Sequence, residues 1–161
     1  MSEVIRVGMA EMKICMPQDK ITTLGLGSCV GAVIYDSSSR ICGMVHVMLP
    51  DSRIFRNNGN KAKFADLGIE MLVKELISKG AVKSCLKAKI AGGAQMFSFK
   101  SENELLQVGK RNVEAVGKKL KELGIPIVAS DVGGNYGRTI TFNPADFKLE
   151  IKVVGRELSY I

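Results

Sequence analysis

The chain has 161 residues, 46% hydrophobic and 24% charged, which is ordinary globular composition; one domain over 1–161 is expected. Its N-terminus carries charges through the first thirteen residues, so no secretory signal is expected, and no apolar run approaches the ~20 residues of a membrane span; a cytoplasmic chain without membrane insertion follows. A net charge of +7 steers toward acidic partners, while 6% aromatic residues, no tryptophan and no recognisable module argue against nucleic acid, so an acidic protein is the expected partner.

Strand-forming segments dominate the first third of the chain, at 4–7, 12–15 and 21–24. The run Thr23-Leu24-Gly25-Leu26-Gly27-Ser28-Cys29-Val30 then leads into a hairpin. Its arms, 29–35 and 40–49, are β-branched and apolar, and Asp36-Ser37-Ser38-Ser39 separates them with turn chemistry. The chain's one histidine, His46, lies in the second arm, seventeen residues after Cys29. A turn centred on Ser37-Ser38 makes paired residue numbers sum to 75 and sets Cys29 directly opposite His46, with Cβ atoms about 4.5–5.5 Å apart. A slip by one residue would carry His46 to the other face.

A thiol attacks as thiolate, and a neighbouring imidazole is the commonest means of making one. Taken singly, a strand histidine is most often a core residue and an intracellular cysteine a small buried hydrophobe. Taken together beside a glycine-rich turn, Cys29 and His46 form a candidate nucleophile and base. Around Gly27-Ser28-Cys29, backbone N–H groups can converge near the thiol, as an oxyanion hole requires. Cys42, four residues before His46 and on the same strand face, is a rival nucleophile, but it lacks a glycine-rich turn and reads as core. Cys15, Cys29, Cys42 and Cys85 form no CxxC pair, and one histidine cannot complete a usual zinc site, so neither a metal nor a disulfide framework is expected.

A polar loop at 51–60 carries exposed Ile54 and Phe55. A first helix is expected over 61–79, where Ala65, Ile69, Leu72 and Leu76 repeat at i, i+4, i+7 and i+11 and Gly80 supplies a left-handed stop. A buried strand at 86–91 ends in Gly92-Gly93. A second helix over 104–123 places Leu105, Val113, Val116, Leu120 and Leu123 on one side. Strands at 125–130, 138–142 and 148–154 follow, with a tight loop at 133–137. No glycine turn matches GxGxxG or GxxxxGK[ST]. Strands outnumber the two main helices, so an α+β layered domain is expected, with helices on one side of a sheet and further sheet on the other.

The strings TLGLGSCVGAVIYD, GMVHVMLPDS, KIAGGAQMF, GKRNVEAV and DVGGNYGR together resemble the chemoreceptor glutamine deamidase family, CheD, over about 4–154. The resemblance implies an α/β/β sandwich and a Cys-His-Thr triad at Cys29, His46 and Thr23, with no metal or organic cofactor. It implies deamidation of particular glutamines on methyl-accepting chemotaxis receptors, and in some members action on receptor methyl esters. A CheC-type CheY-P phosphatase is the implied regulatory partner. Under that reading Thr23 Oγ1 accepts from the far imidazole nitrogen, and the N–H groups of Ser28 and Cys29 are the oxyanion donors. Acidic cytoplasmic receptor helices suit a basic enzyme, and Ile54 and Phe55 offer an apolar contact to such a helix. The alternative is a non-catalytic adaptor that engages and regulates the phosphatase.

Overall fold

Two five-stranded sheets and a helix layer make up the described part of the protein, residues 2–54, 59–96 and 107–161 of a computed structural model. The inner sheet runs in the order β2 (Met12–Cys15), β5 (Cys42–Val47), β4 (Val30–Asp36), β6 (Leu86–Gly92), β7 (Ile127–Val132). The outer sheet runs β1 (Val4–Val7), β3 (Lys20–Leu26), β8 (Arg138–Asn143), β9 (Lys148–Lys152), β10 (Ser159–Tyr160). Both are mixed: β1 pairs with β3 and β6 with β7 in parallel, and the other pairings are antiparallel. Helices α1 (Ala65–Ser78) and α2 (Val108–Glu122) cover the far face of the inner sheet. The result is the expected α/β/β sandwich.

The inner sheet is covered twice, which explains its sequence. Every residue of β4 and β5 is buried, and a strand covered on both faces reads as a continuous apolar run rather than an alternation. Alternate residues then serve different cores. Val30, Ala32, Ile34, Val45 and Val47 meet the helices, whereas Val33, Tyr35, Cys42 and Met44 meet the outer sheet. Residue parity therefore decides which core a side chain enters. By this rule His46 faces the outer sheet.

Helix α1 buries Ala65, Ile69, Leu72 and Leu76 completely and stops at Gly80, whose φ of 106° only glycine adopts readily. The helix starts later than its periodicity indicates. A 3-10 turn spans Lys61–Lys63 and Phe64 is extended, because this stretch bridges to the chain leaving β5: Met48 and Leu49 N–H donate to Lys63 O, and Ala65 N–H donates to Leu49 O. Helix α2 is seen from Val108; the expected start at 104, with Leu105, lies outside the described residues.

The β4–β5 hairpin corrects the expected register. Gly31, not Cys29, lies opposite His46, and paired numbers sum to 77, as in Tyr35 with Cys42. The loop is Ser37 to Arg40, closed by Asp36 N–H to Ile41 O and Arg40 N–H to Asp36 O, with Arg40 at φ 68°. Asp36 enforces it. One carboxylate oxygen accepts from Ser38 N–H, the Ser38 hydroxyl and Ser39 N–H, while the other accepts from Val82 N–H. Burial pushes this carboxyl upward, but those bonds outweigh it and hold the group far below the usual carboxylate range. The slip is by two residues, so parity survives and His46 keeps its face.

Asp36→Ala should cost about 2–3 kcal/mol, since it strips a buried carboxylate that organises four donors. Its lowered folded pKa makes this contribution present above the unfolded carboxylate value and lost as pH falls through the folded one. Urea unfolding near neutral pH checks the magnitude; a loss within experimental scatter would mean that the loop holds its register without Asp36.

Candidate active site

The two sheets meet at a buried polar contact. Thr23, on β3, is in parallel register with Val7 of β1, and its Oγ1 lies 2.7 Å from Val7 O and 2.7 Å from His46 Nδ1. All of Thr23 and His46 is out of solvent. A carbonyl oxygen can only accept and a hydroxyl has one proton to give, so that proton goes to Val7 O. Thr23 Oγ1 must then accept from Nδ1–H. This fixes the tautomer and leaves the basic lone pair on Nε2, which has no hydrogen-bond partner among the described residues.

Cys29 sits in the turn between β3 and β4 and is half-buried. It packs against the core between the sheets, the same core that His46 faces. No hydrogen bond joins Sγ to the imidazole. The observed register explains why, since it puts His46 a diagonal step from position 29, where neighbours are about 7–8 Å apart. The structure thus brings Thr23 and His46 into contact and places Cys29 on the same face without direct contact.

The backbone of the turn is anchored carbonyl by carbonyl. Gly27 O accepts from Ala94 N–H at 2.9 Å, Ser28 O from Asn112 Nδ2 at 2.9 Å, and Cys29 O from Gly93 N–H at 2.8 Å. Such close approach needs Gly92, since a Cβ there would lie 2.3 Å from Cys29 O. Ser28 N–H has no partner among the described residues, and the Cys29 N–H favours its own residue's thiolate.

Burial sets the charge state. It pushes the Cys29 thiol above its ordinary value, against the smaller opposing effect of its own N–H, and it pushes His46 down. The resting pair is a neutral thiol and a neutral imidazole. The expectation that an imidazolium lowers the Cys29 pKa is therefore corrected: two desolvated groups without a bond between them gain nothing by exchanging a proton in advance. Cys42 is wholly buried opposite Cys15 and its thiol is driven up by that neighbour and by burial, so it is core, as read from sequence.

Phe55 lies outside the described residues, while its neighbour Ile54 is exposed. No group of three or more His, Cys, Asp or Glu side chains able to hold a metal occurs among the described residues. Sequence reasoning missed Asn112 and Arg138. Arg138, on β8, is 2% exposed and reaches across to the inner sheet, to Asp131 at 3.0 Å and Gly92 O at 3.5 Å, with its guanidinium over the Tyr136 ring. Asn112 is a fully buried amide on the apolar face of α2, in line with Val116 and Leu120. A poor helix former on a core stripe was the available signal.

Comparison with known proteins gives a consistent picture. The family described as CheD chemotactic sensory transduction matches residues 48–153. A protein of Lachnoclostridium phytofermentans named probable chemoreceptor glutamine deamidase CheD is 62% identical over 156 residues, 97% of each chain. One of the same name from Caldanaerobacter subterraneus subsp. tengcongensis is 51% identical over 160 residues, 99% of each chain. The chemoreceptor glutamine deamidase CheD of Halalkalibacterium halodurans is 52% identical over 155 residues, 96% of each chain.

A neutral resting pair has a direct signature. The rate of Cys29 alkylation by iodoacetamide should keep rising with pH past the ordinary thiol value of about 8.5, because burial raises this thiol. Adducts mapped by peptide mass spectrometry should fall on Cys29 ahead of buried Cys15 and Cys42. A rate that levels off near neutral pH would show a resting thiolate–imidazolium pair instead.

Proposed function

This chain belongs to the CheD family, and from that membership we propose that it is a protein-glutamine deamidase acting on chemotaxis receptors, with Cys29 as nucleophile, His46 as base and Thr23 as orienting group. The observation that carries this reading is the Thr23–His46 contact, which leaves an unpartnered Nε2 in the core that Cys29 borders. A purely structural histidine has no need of an empty basic nitrogen there. An adaptor role without catalysis has no comparable feature in its favour.

Cys29 Sγ attacks the carboxamide carbon of a receptor glutamine as its proton passes to His46 Nε2. Because both groups start neutral, attack and proton transfer proceed together, and nucleophile–base contacts commonly close only on the substrate. Negative charge develops on the carboxamide oxygen, and the N–H groups of Ser28 and Cys29 receive it. Thr23 Oγ1 and Nδ1–H support the transient imidazolium. The intermediate collapses with return of the proton to nitrogen, and ammonia leaves. Nε2 then takes a proton from water, hydroxide adds to the thioester, and glutamate departs as Cys29 is reprotonated. A receptor methyl ester follows the same path with methanol as leaving group.

The protein's net charge of +7 supports docking of acidic receptor helices. A groove of about 540 Å³ lies beside the glycine bend of β3, lined by Leu24, Gly25, Tyr136 and Lys152 among others, and offers such a helix a place next to the turn. The family resemblance supports a CheC-type phosphatase as the regulatory partner.

Mass spectrometry of a receptor cytoplasmic fragment incubated with the protein tests the reading. Wild type should add about 1 Da per modified glutamine. Cys29→Ala should abolish the change, His46→Ala should lower the rate by at least about 100-fold, and Thr23→Val by about 10- to 100-fold. The acid limb of kcat/KM should lie below the ordinary imidazole value of about 6.5, since burial lowers His46. Full turnover by Cys29→Ala would overturn the assignment.

A further inference from the structure

The geometry points to Asn112 as a positioning residue that aims the Cys29 N–H at the oxyanion, an inference that rests on the deamidase reading above. Asn112 Nδ2 donates to two carbonyls at once, Ser28 O at 2.9 Å and Met48 O at 3.0 Å. Ser28 precedes the nucleophile, and Met48 follows His46 by two residues. One amide on α2 therefore spans the two chain segments that carry the reacting groups.

The argument turns on peptide planarity. In a trans peptide the carbonyl of one residue and the N–H of the next point in opposite directions, and the described chain has no cis peptide. Holding Ser28 O toward α2 therefore turns Cys29 N–H away from α2. Ala94 N–H does the same for the preceding plane through Gly27 O, which directs Ser28 N–H. Of the two anchors, only Asn112 is a side chain, so only it can be removed without rebuilding the backbone.

Packing alone does not explain the residue. Asn112 is fully buried and its Oδ1 has no hydrogen-bond partner among the described residues, an arrangement an apolar side chain would avoid. The orphan oxygen also fixes the orientation of the amide, because reversing it would set Oδ1 against two carbonyl oxygens.

Asn112→Ala and Asn112→Leu remove both donors; alanine leaves space, whereas leucine keeps the branched shape with bulkier methyls, and both favour the helix. In receptor-fragment deamidation, kcat should fall about 10- to 100-fold, less than for outright loss of a donor because the N–H is misdirected rather than deleted. KM should stay within about twofold, since the amide does not touch substrate. Iodoacetamide alkylation of Cys29 should change far less than kcat, because displacement at an sp³ carbon develops no oxyanion, and redirecting the Cys29 N–H should move its pH profile only slightly upward. A folded variant, judged by circular dichroism and thermal melting, with unchanged kcat would overturn the inference. So would alkylation falling in parallel with kcat, or failure of both variants to fold, since either assigns Asn112 to the fold. Cys29→Ala run alongside separates the two claims: if it retains deamidation, the reading of the reaction fails; if it is dead while Asn112 variants are fully active, only the positioning role fails.

Discussion

The single proton of the Thr23 hydroxyl organises this site. Val7 O claims it, so the hydroxyl oxygen can only accept from His46 Nδ1–H. That one assignment decides which imidazole nitrogen is basic, and it does so across the boundary between the two sheets. Because β1 and β3 run parallel with Val7 beside Thr23, the carbonyl that takes the proton is set by strand register and not by a mobile side chain. The imidazole's tautomer is thereby specified by the fold's pairing pattern.

The surroundings of that contact explain why it is worth burying. The core between the sheets is apolar, built from Val33, Met44, Ile140, Phe142 and their neighbours. An imidazole there is disfavoured as a cation and a thiol as an anion, so each holds its neutral form at rest. Such a pair is poorly reactive toward solvent. In the proposed reaction it becomes reactive when a carbonyl arrives to accept electrons from sulfur while Nε2 accepts the proton, and no free charge need form beforehand. The half-exposure of Cys29 against the full burial of His46 fits the proposed division of roles, in which a nucleophile must meet substrate and a base need only meet the nucleophile.

Features governed by local periodicity were legible in the sequence. The α1 stripe of Ala65, Ile69, Leu72 and Leu76, the stop at Gly80, the hairpin arms and the shared face of Cys29 and His46 all follow from spacing. Features governed by distant partners were not. The loop after β4 depends on Val82 N–H reaching the Asp36 carboxylate from 46 residues away, which no turn propensity encodes. Phe64 looks helical by sequence but is extended because the chain beside it pairs with the exit from β5. Asn112 was visible only as a misfit on a core stripe, because its carbonyl partners lie 84 and 64 residues away. Of the candidate site, then, the sequence carried the residue types and their face, while register, charge state and backbone anchoring came from tertiary pairing.

The hairpin shows why the shared face of Cys29 and His46 survived an error in its register. A strand's side chains alternate with period two, so an even slip displaces a residue along its face and an odd slip moves it to the opposite one. Moving the pairing sum from 75 to 77 cost Cys29 and His46 their direct opposition but not their common core. It also brought Gly31 opposite His46, where a Cβ would lie 2.7 Å from Ile140 and 3.5 Å from Thr23 Cγ2. A glycine at that point lets the sheets approach closely enough for the Thr23 hydroxyl to reach the ring. The register that separates Cys29 from His46 is thus the same one that admits the Thr23 hydroxyl to the imidazole, and the geometry favours a fixed tautomer over a ready-made thiolate.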